Sequence, residues 1–160
     1  IKALPLIDPE VHYVIIGRRT THSTRLMRAA REMGVTNRVH IIEHIPDEDM
    51  PAVYRAATLL INLSRYEGFA THIAEAMAMG TPIITTRTSS MEEVAEGAAA
   101  YVNPNNRDEI VGAIKSLIND EELRRELIEL GKRQVSRFRP EVMAYNLMSC
   151  YRRLDVDIRG

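Results

Sequence analysis

Short runs of apolar, β-branched residues alternate along this chain with longer stretches in which apolar residues recur every three or four positions. Val11-His12-Tyr13-Val14-Ile15-Ile16, closed by Gly17, has the near-continuous apolar character of a parallel strand covered on both faces. From His22 to Met33, the residues Leu26, Met27, Ala30 and Met33 fall at helical spacing, and Gly34 follows where a left-handed cap is commonest. The alternation then repeats. Arg38 to Ile42 predicts a strand, and Asp47 is placed to cap a helix running through Met50, Val53, Tyr54 and Ala57. Thr58 to Asn62 makes a third strand around Leu59-Leu60-Ile61. A helix from near Thr71 to about Met79, ended by Gly80, leads into a fourth strand at Pro82-Ile83-Ile84-Thr85. Ser90 and Glu93 have capping-box spacing ahead of a short helix, and Ala98 to Val102 supplies a fifth strand.

The last third reads as helical. Asn106 and Glu109 open a helix carrying Ile110, Ile114, Leu117 and Ile118. Asp120 caps another carrying Leu123, Leu127 and Leu130, which Gly131 is expected to interrupt, and a final helix runs from Pro140 toward Tyr151. Ile1 to Leu6 read as the tail of a helix, and the chain, opening without methionine, reads as an excerpt of a longer protein. Strands alternating with helices predict an α/β fold: a parallel sheet flanked by helices on both faces, with right-handed crossovers. Neither repeat nor linker divides the chain, so residues 1–160 are expected to form one domain.

Charge narrows the function. Twenty-one basic residues against 22 acidic ones leave a net charge of −1, which argues against a nucleic-acid partner. A single cysteine, Cys150, excludes an internal disulfide, favours a reducing, cytoplasmic setting and reads as a buried structural thiol. No apolar run approaches the roughly 18 residues of a membrane-spanning helix. The five histidines show no metal-ligand spacing, and neither a G-x-S-x-G elbow nor a G-x-G-x-x-G fingerprint occurs.

In open α/β sheets ligands bind beyond the carboxyl ends of the strands, and the loop after Ile61 is the richest of these. Glu67, followed by Gly68, lies ahead of the helix expected at Thr71, and Glu75 lies about one turn inside it. The free N–H groups and positive dipole end of that helix suit a phosphate, with a carboxylate on either side. A ligand with hydroxyls at both ends and a diphosphate between them, such as a nucleotide sugar, has this layout. The helix dipole alone also favours glutamate in a first turn, so spacing leaves both readings open. The same holds for His72, beside the phosphate position or simply a polar helix start, and for Arg18 and Arg19 after Gly17, which suit either phosphate or solvent. The Arg124-Arg125 and Arg152-Arg153 pairs read as solvated helix faces that also suit an anionic lipid surface.

The string Glu67-Gly68-Phe69, five residues, then Glu75-Ala76-Met77-Ala78, Gly80 and Pro82-Ile83-Ile84 resembles the signature of the retaining glycosyltransferases of family 4, which have the two-domain GT-B fold. Ser89 to Val94 is similar to their serine-rich loop, Val102-Asn103-Pro104 to their Val-Asp-Pro, and Leu123-Arg124 and Phe138 to Tyr151 to their closing helices. The resemblance implies the Rossmann-like, carboxy-terminal half of a GT-B fold, lacking its first strand and the Gly-Arg loop and lysine that follow it. Lys2 does not inherit that lysine's role. It further implies a donor site: Glu67, the catalytic residue, on the sugar hydroxyls; Glu75 on the ribose; Gly68, Phe69, Ala70, Thr71 and His72 along the sugar and diphosphate; Gly17 and Arg18 near the nucleotide. Phe69 is expected to anchor its loop rather than to touch the ligand. Glu92 replaces a common proline, and Ala70-Thr71-His72 replaces glycine and apolar residues, which bears on the sugar accepted. The partners implied are a nucleotide sugar, with no metal or cofactor, and the protein's own amino-terminal acceptor domain. Without that domain the chain is expected to be inactive. The alternatives are a non-catalytic Rossmann-like binding or folding module, or half of a UDP-sugar epimerase, whose sequences do not usually carry this string.

Overall fold

The computed structural model describes residues 1–153. Five parallel strands alternate with helices: β1 (Tyr13–Ile16), α1 (Thr21–Glu32), β2 (Val39–Ile42), α2 (Met50–Ala56), β3 (Leu60–Ile61), α3 (Thr71–Met79), β4 (Ile83–Thr85), α4 (Ser90–Ala95) and β5 (Ala100–Tyr101). Three helices close the described chain: α5 (Arg107–Asn119), α6 (Glu121–Val135) and α7 (Pro140–Arg153). Ile1 to Leu6 are less helical than expected, with only a 3₁₀ turn at Leu4–Leu6, where Pro5 enters the first turn.

The strands form two separate parallel sheets. β1 pairs with β2, Tyr13 opposite Val39, while β4 lies between β3 and β5, with Ile84 opposite Ile61 and Ala100. β4 is the strand buried on both faces: Ile83 and Ile84 point to opposite sides and neither is exposed. Ile83 joins Ile73, Met77, Met91 and Val94 in one core cluster, and Ile84 joins Ala30, Val39, Ile114 and Leu117 in the other.

The same character was expected of β1 and is not found. Val14 is 47% exposed and Ile16 39%. The reason is an open cleft of about 960 Å³ between β1 and β3, across which the two sheets exchange no ladder hydrogen bonds among the described residues. The strands form two of its walls. Met50, Val53 and Tyr54 of α2 close one face, and Ile110, Ile114 and Ile118 of α5 the other.

Local signals held where their partners were local. Asn106 Oδ1 caps α5 and Asp120 Oδ1 caps α6, and Gly34 and Gly80 take the left-handed conformation after α1 and α3, while Thr20, which carried no expectation, caps α1. They failed where a proline or a tertiary contact intervened. Asp47 does not cap α2, which starts at Met50 with Pro51 in its first turn, so one N–H that a cap would serve is missing. No capping box forms at Ser90, whose hydroxyl bonds the Glu67 carbonyl instead. Gly131 does not interrupt α6, because its role is clearance: a β-carbon there would stand 3.0 Å from Met77 Cγ. Arg124 is not a free surface charge, since its Nη1 donates to the Leu117 and Ile118 carbonyls at the end of α5. Cys150 is exposed, because α7 has no buried residue and Met143, Leu147, Met148 and Tyr151 lie open beside it.

Candidate functional site

The segment between β3 and α3 is built by short-range bonds and then pinned from a neighbouring strand. Asn62 N continues the β3 ladder to Ile84 O at 2.9 Å, its Oδ1 accepts from Ser64 N at 2.7 Å, and its amide donates to His72 Nε2. One polar side chain thus ties the end of β3 to the first turn of α3. The Ser64 carbonyl then accepts from Thr86 Oγ1 at 3.2 Å. Around Glu67 the clamp is closer. The Glu67 carbonyl accepts from Ser89 Oγ at 2.6 Å and Ser90 Oγ at 2.9 Å, and its N–H donates to Ser89 Oγ at 3.3 Å. The loop after β4 therefore fixes the Glu67 main chain and leaves its carboxylate without a hydrogen bond or ion pair among the described residues.

Phe69 packs as expected, its ring edge-on to Phe138 at 5.3 Å between centroids. Ala70 follows at φ 53°, buried, and Ser89 sits at φ 54°. Positive-φ backbone at residues that carry a β-carbon, left-handed at Ala70 and outside the helical region at Ser89, costs about 1 kcal/mol or more and persists where the surroundings over-determine it. Ser89 is part of the Glu67 clamp, and Ala70 lies three residues beyond Glu67.

The first turn of α3 has no side-chain cap, and it carries exposed Thr71 and half-buried His72. Glu75 stands on the exposed side of α3, with Oε2 accepting from Tyr54 Oη at 2.8 Å. Burial, that hydrogen bond and the Glu75 charge together hold the Tyr54 phenol well above the ordinary tyrosine range, so it is a hydrogen donor at neutral pH.

Glu67, Gly68, Phe69, Ala70, Thr71, His72 and Glu75 are thus one loop-and-helix unit at the carboxyl end of β3. Gly17 and Arg18 are exposed just beyond the end of β1, the strand on the far side of the open cleft, and neither lines it. Arg19 pairs with Glu43 at 2.9 Å. Among the described residues no group of three or more His, Cys, Asp or Glu could hold a metal ion. His12, directly before β1, stacks on His40 of β2 instead, at the end of these strands away from this unit. Sequence reasoning missed Tyr54 and the Ser89–Ser90 clamp as parts of the site. Asn62, a turn former directly after a strand, carried the one readable signal.

A model of the family described as "Glycosyl transferases group 1" matches residues 1–134. The O-antigen chain mannosyltransferase B of Escherichia coli is 31% identical over 116 residues, covering 72% of this chain and 30% of that protein. A D-inositol 3-phosphate glycosyltransferase of Corynebacterium urealyticum is 29% identical over 131 residues, covering 81% of this chain and 31% of its own length. The chain therefore spans about a third of the length of these relatives. Among solved structures, sucrose-phosphate synthase from Thermosynechococcus elongatus superposes with a TM-score of 0.84 at 26% identity, over 96% of this chain and 40% of that one. The Anabaena protein HepE, solved in complex with UDP, has the same fold, with a TM-score of 0.82 at 20% identity over 97% of this chain and 44% of its own. On the extent of the family match, the likeness to these transferases and the parallel α/β fold of the carboxy-terminal half of GT-B enzymes, the chain belongs to the group 1 glycosyl transferases.

Proposed function

We propose that the chain binds a nucleotide-diphosphate sugar for retaining transfer of the sugar to an acceptor held by a separate, amino-terminal domain. The observation that carries this reading is the pair Glu67 and Glu75 on either side of the uncapped start of α3, at the carboxyl end of a parallel strand. In this reading Glu67 meets the sugar hydroxyls as the catalytic residue, and Glu75 takes the ribose hydroxyls. Gly68, Ala70, Thr71 and His72 approach the sugar and diphosphate, with Phe69 anchoring them on Phe138. The bond from the anomeric carbon to the diphosphate oxygen breaks, the nucleotide leaves with the electron pair, and the acceptor oxygen bonds the anomeric carbon on the same face while its proton passes to the departing diphosphate oxygen. Helix dipole and cationic groups, Arg18 among them, stabilise the departing charge, so the scheme needs no metal or further cofactor. Support comes from relatives named as glycosyltransferases and from HepE, which was solved with UDP and with UDP-glucose.

The cleft between β1 and β3 supports the companion reading, that a first strand belongs between them. It is apolar, bounded by a strand edge on each side and a helix on each face, as the place of one doubly buried strand in an α/β sheet is bounded. Without that strand, its following loop and the acceptor domain, transfer by the isolated chain is expected to be negligible. A cytoplasmic enzyme fits the reading, with Arg152 and Arg153 at the end of α7 available to anionic lipid, which sedimentation with phosphatidylglycerol vesicles tests.

Amide NMR titration with UDP, GDP, ADP and their hexose conjugates tests the donor site. One nucleotide is expected to shift the amides of residues 67–75 saturably, and Glu75→Ala to weaken it by about tenfold or more, as loss of a charge-assisted hydrogen bond does. If no nucleotide moves those amides at millimolar concentration, this chain is not by itself a donor site.

A further inference from the structure

Tyr54 is 21 residues from Glu75 in sequence and on a different helix, yet its phenol oxygen lies 2.8 Å from Glu75 Oε2. The residue is 8% exposed, and its own main-chain carbonyl accepts from the buried Thr81 Oγ1 at 2.7 Å. Thr81 in turn closes α3, its N–H donating to Ala76 O at 2.9 Å. Helices α2 and α3 are therefore locked to one another at both ends of the tyrosine: the hydroxyl holds the Glu75 side chain, and the carbonyl holds the turn that ends the helix bearing it.

A glutamate on an exposed helix position is free to rotate about three side-chain bonds, and fixing it on a ligand costs that freedom. A tyrosine with its ring buried has none of that freedom. Its hydroxyl occupies one lone pair of Oε2 and sets the plane of the carboxylate. Oε1 and the second lone pair of Oε2 remain to accept from two adjacent hydroxyls, which is the demand made by a ribose and by no other part of a nucleotide.

We infer that Tyr54 is a positioning residue that pre-orients Glu75 for a vicinal diol, and so sets the preference of this site for ribonucleotides over 2′-deoxyribonucleotides. The inference rests on the donor reading above, in which Glu75 meets the ribose. Glu67, whose carboxylate has no such tether among the described residues, is not served by Tyr54.

The test uses whichever of UDP, GDP and ADP titrates the wild-type chain best, together with its 2′-deoxy counterpart, on wild type, Tyr54→Phe, Glu75→Gln and the double variant. Tyr54→Phe is expected to lower the ratio of ribo to deoxy affinity by about fivefold, the worth of one hydrogen bond, while binding of the deoxynucleotide changes little. In the Glu75→Gln background the same change is expected to have no further effect. A second measurement needs no ligand: the Glu75 side-chain carboxyl carbon resonance shifts in Tyr54→Phe while that of Glu67 stays. A ribo-to-deoxy ratio that Glu75→Gln abolishes and Tyr54→Phe leaves intact overturns the inference and spares the donor reading. A ratio untouched by Glu75→Gln overturns both.

Discussion

Thr85 shows at the level of one residue what burial demands. It lies on β4 with no exposure, and its hydroxyl is buried without a hydrogen-bond partner, while its main-chain carbonyl serves the ladder to Val102. An unpaired buried hydroxyl costs about 1 kcal/mol or more, and valine has the same shape without it. Thr85→Val is therefore expected to raise stability by about 1 kcal/mol, read as a higher urea midpoint at unchanged slope; an unchanged midpoint would show that the hydroxyl is satisfied in solution. The residues of the site divided in a similar way. The placing of Glu67 and Glu75 was legible because eight positions around one helix start set it, while their roles came from the resemblance and not from the spacing. Tyr54 and Ser89 were not legible, because nothing local distinguishes a core tyrosine or a loop serine from one that holds a candidate carboxylate or its main chain. Their partners lie 21 and 22 residues away.

Elements obeyed the chain where their signals were answered within a few residues. Asn106 and Asp120 cap α5 and α6 because the N–H groups they serve are three positions on. The one glycine inside α6 misled, since a break and a close approach look alike in sequence. Here α6 crosses α3 at Gly131, where an added β-carbon would meet Met77 Cγ at 3.0 Å and Met77 Cβ at 3.3 Å. Gly131→Ala gains about 1 kcal/mol of helix propensity and loses a comparable amount to that contact, so its net effect is expected to stay within about 1 kcal/mol. Gly131→Val adds branching to the clash and is expected to destabilise by about 2–3 kcal/mol. Thermal unfolding of the two variants separates these cases, and a valine variant as stable as wild type would mean that the helices are not in contact there.

For the whole molecule, the open cleft decides where the fold is weakest. β4 is paired on both sides and contributes to both core clusters, whereas β1 and β3 each have one hydrogen-bonded neighbour and face the same void. Native-state hydrogen exchange is expected to find the Ile83, Ile84 and Thr85 amides most protected among the strands and those of β1 the least, by a factor of about 100 or more. Equal protection of β1 and β4 would mean that the cleft is closed in solution. The order and type of the elements, the caps of α5 and α6 and the placing of the glutamate pair around one helix start were determined by the sequence alone. Each depends on the period of apolar side chains or on bonds spanning a few residues, and the chain displays both directly. Only the tertiary structure decided that the strands form two sheets rather than one, that β4 and not β1 is buried on both faces, that Gly131 is a contact, and that Tyr54 orients Glu75. These features depend on which distant surfaces meet, and apolar periodicity marks a surface as one to be covered without naming what covers it.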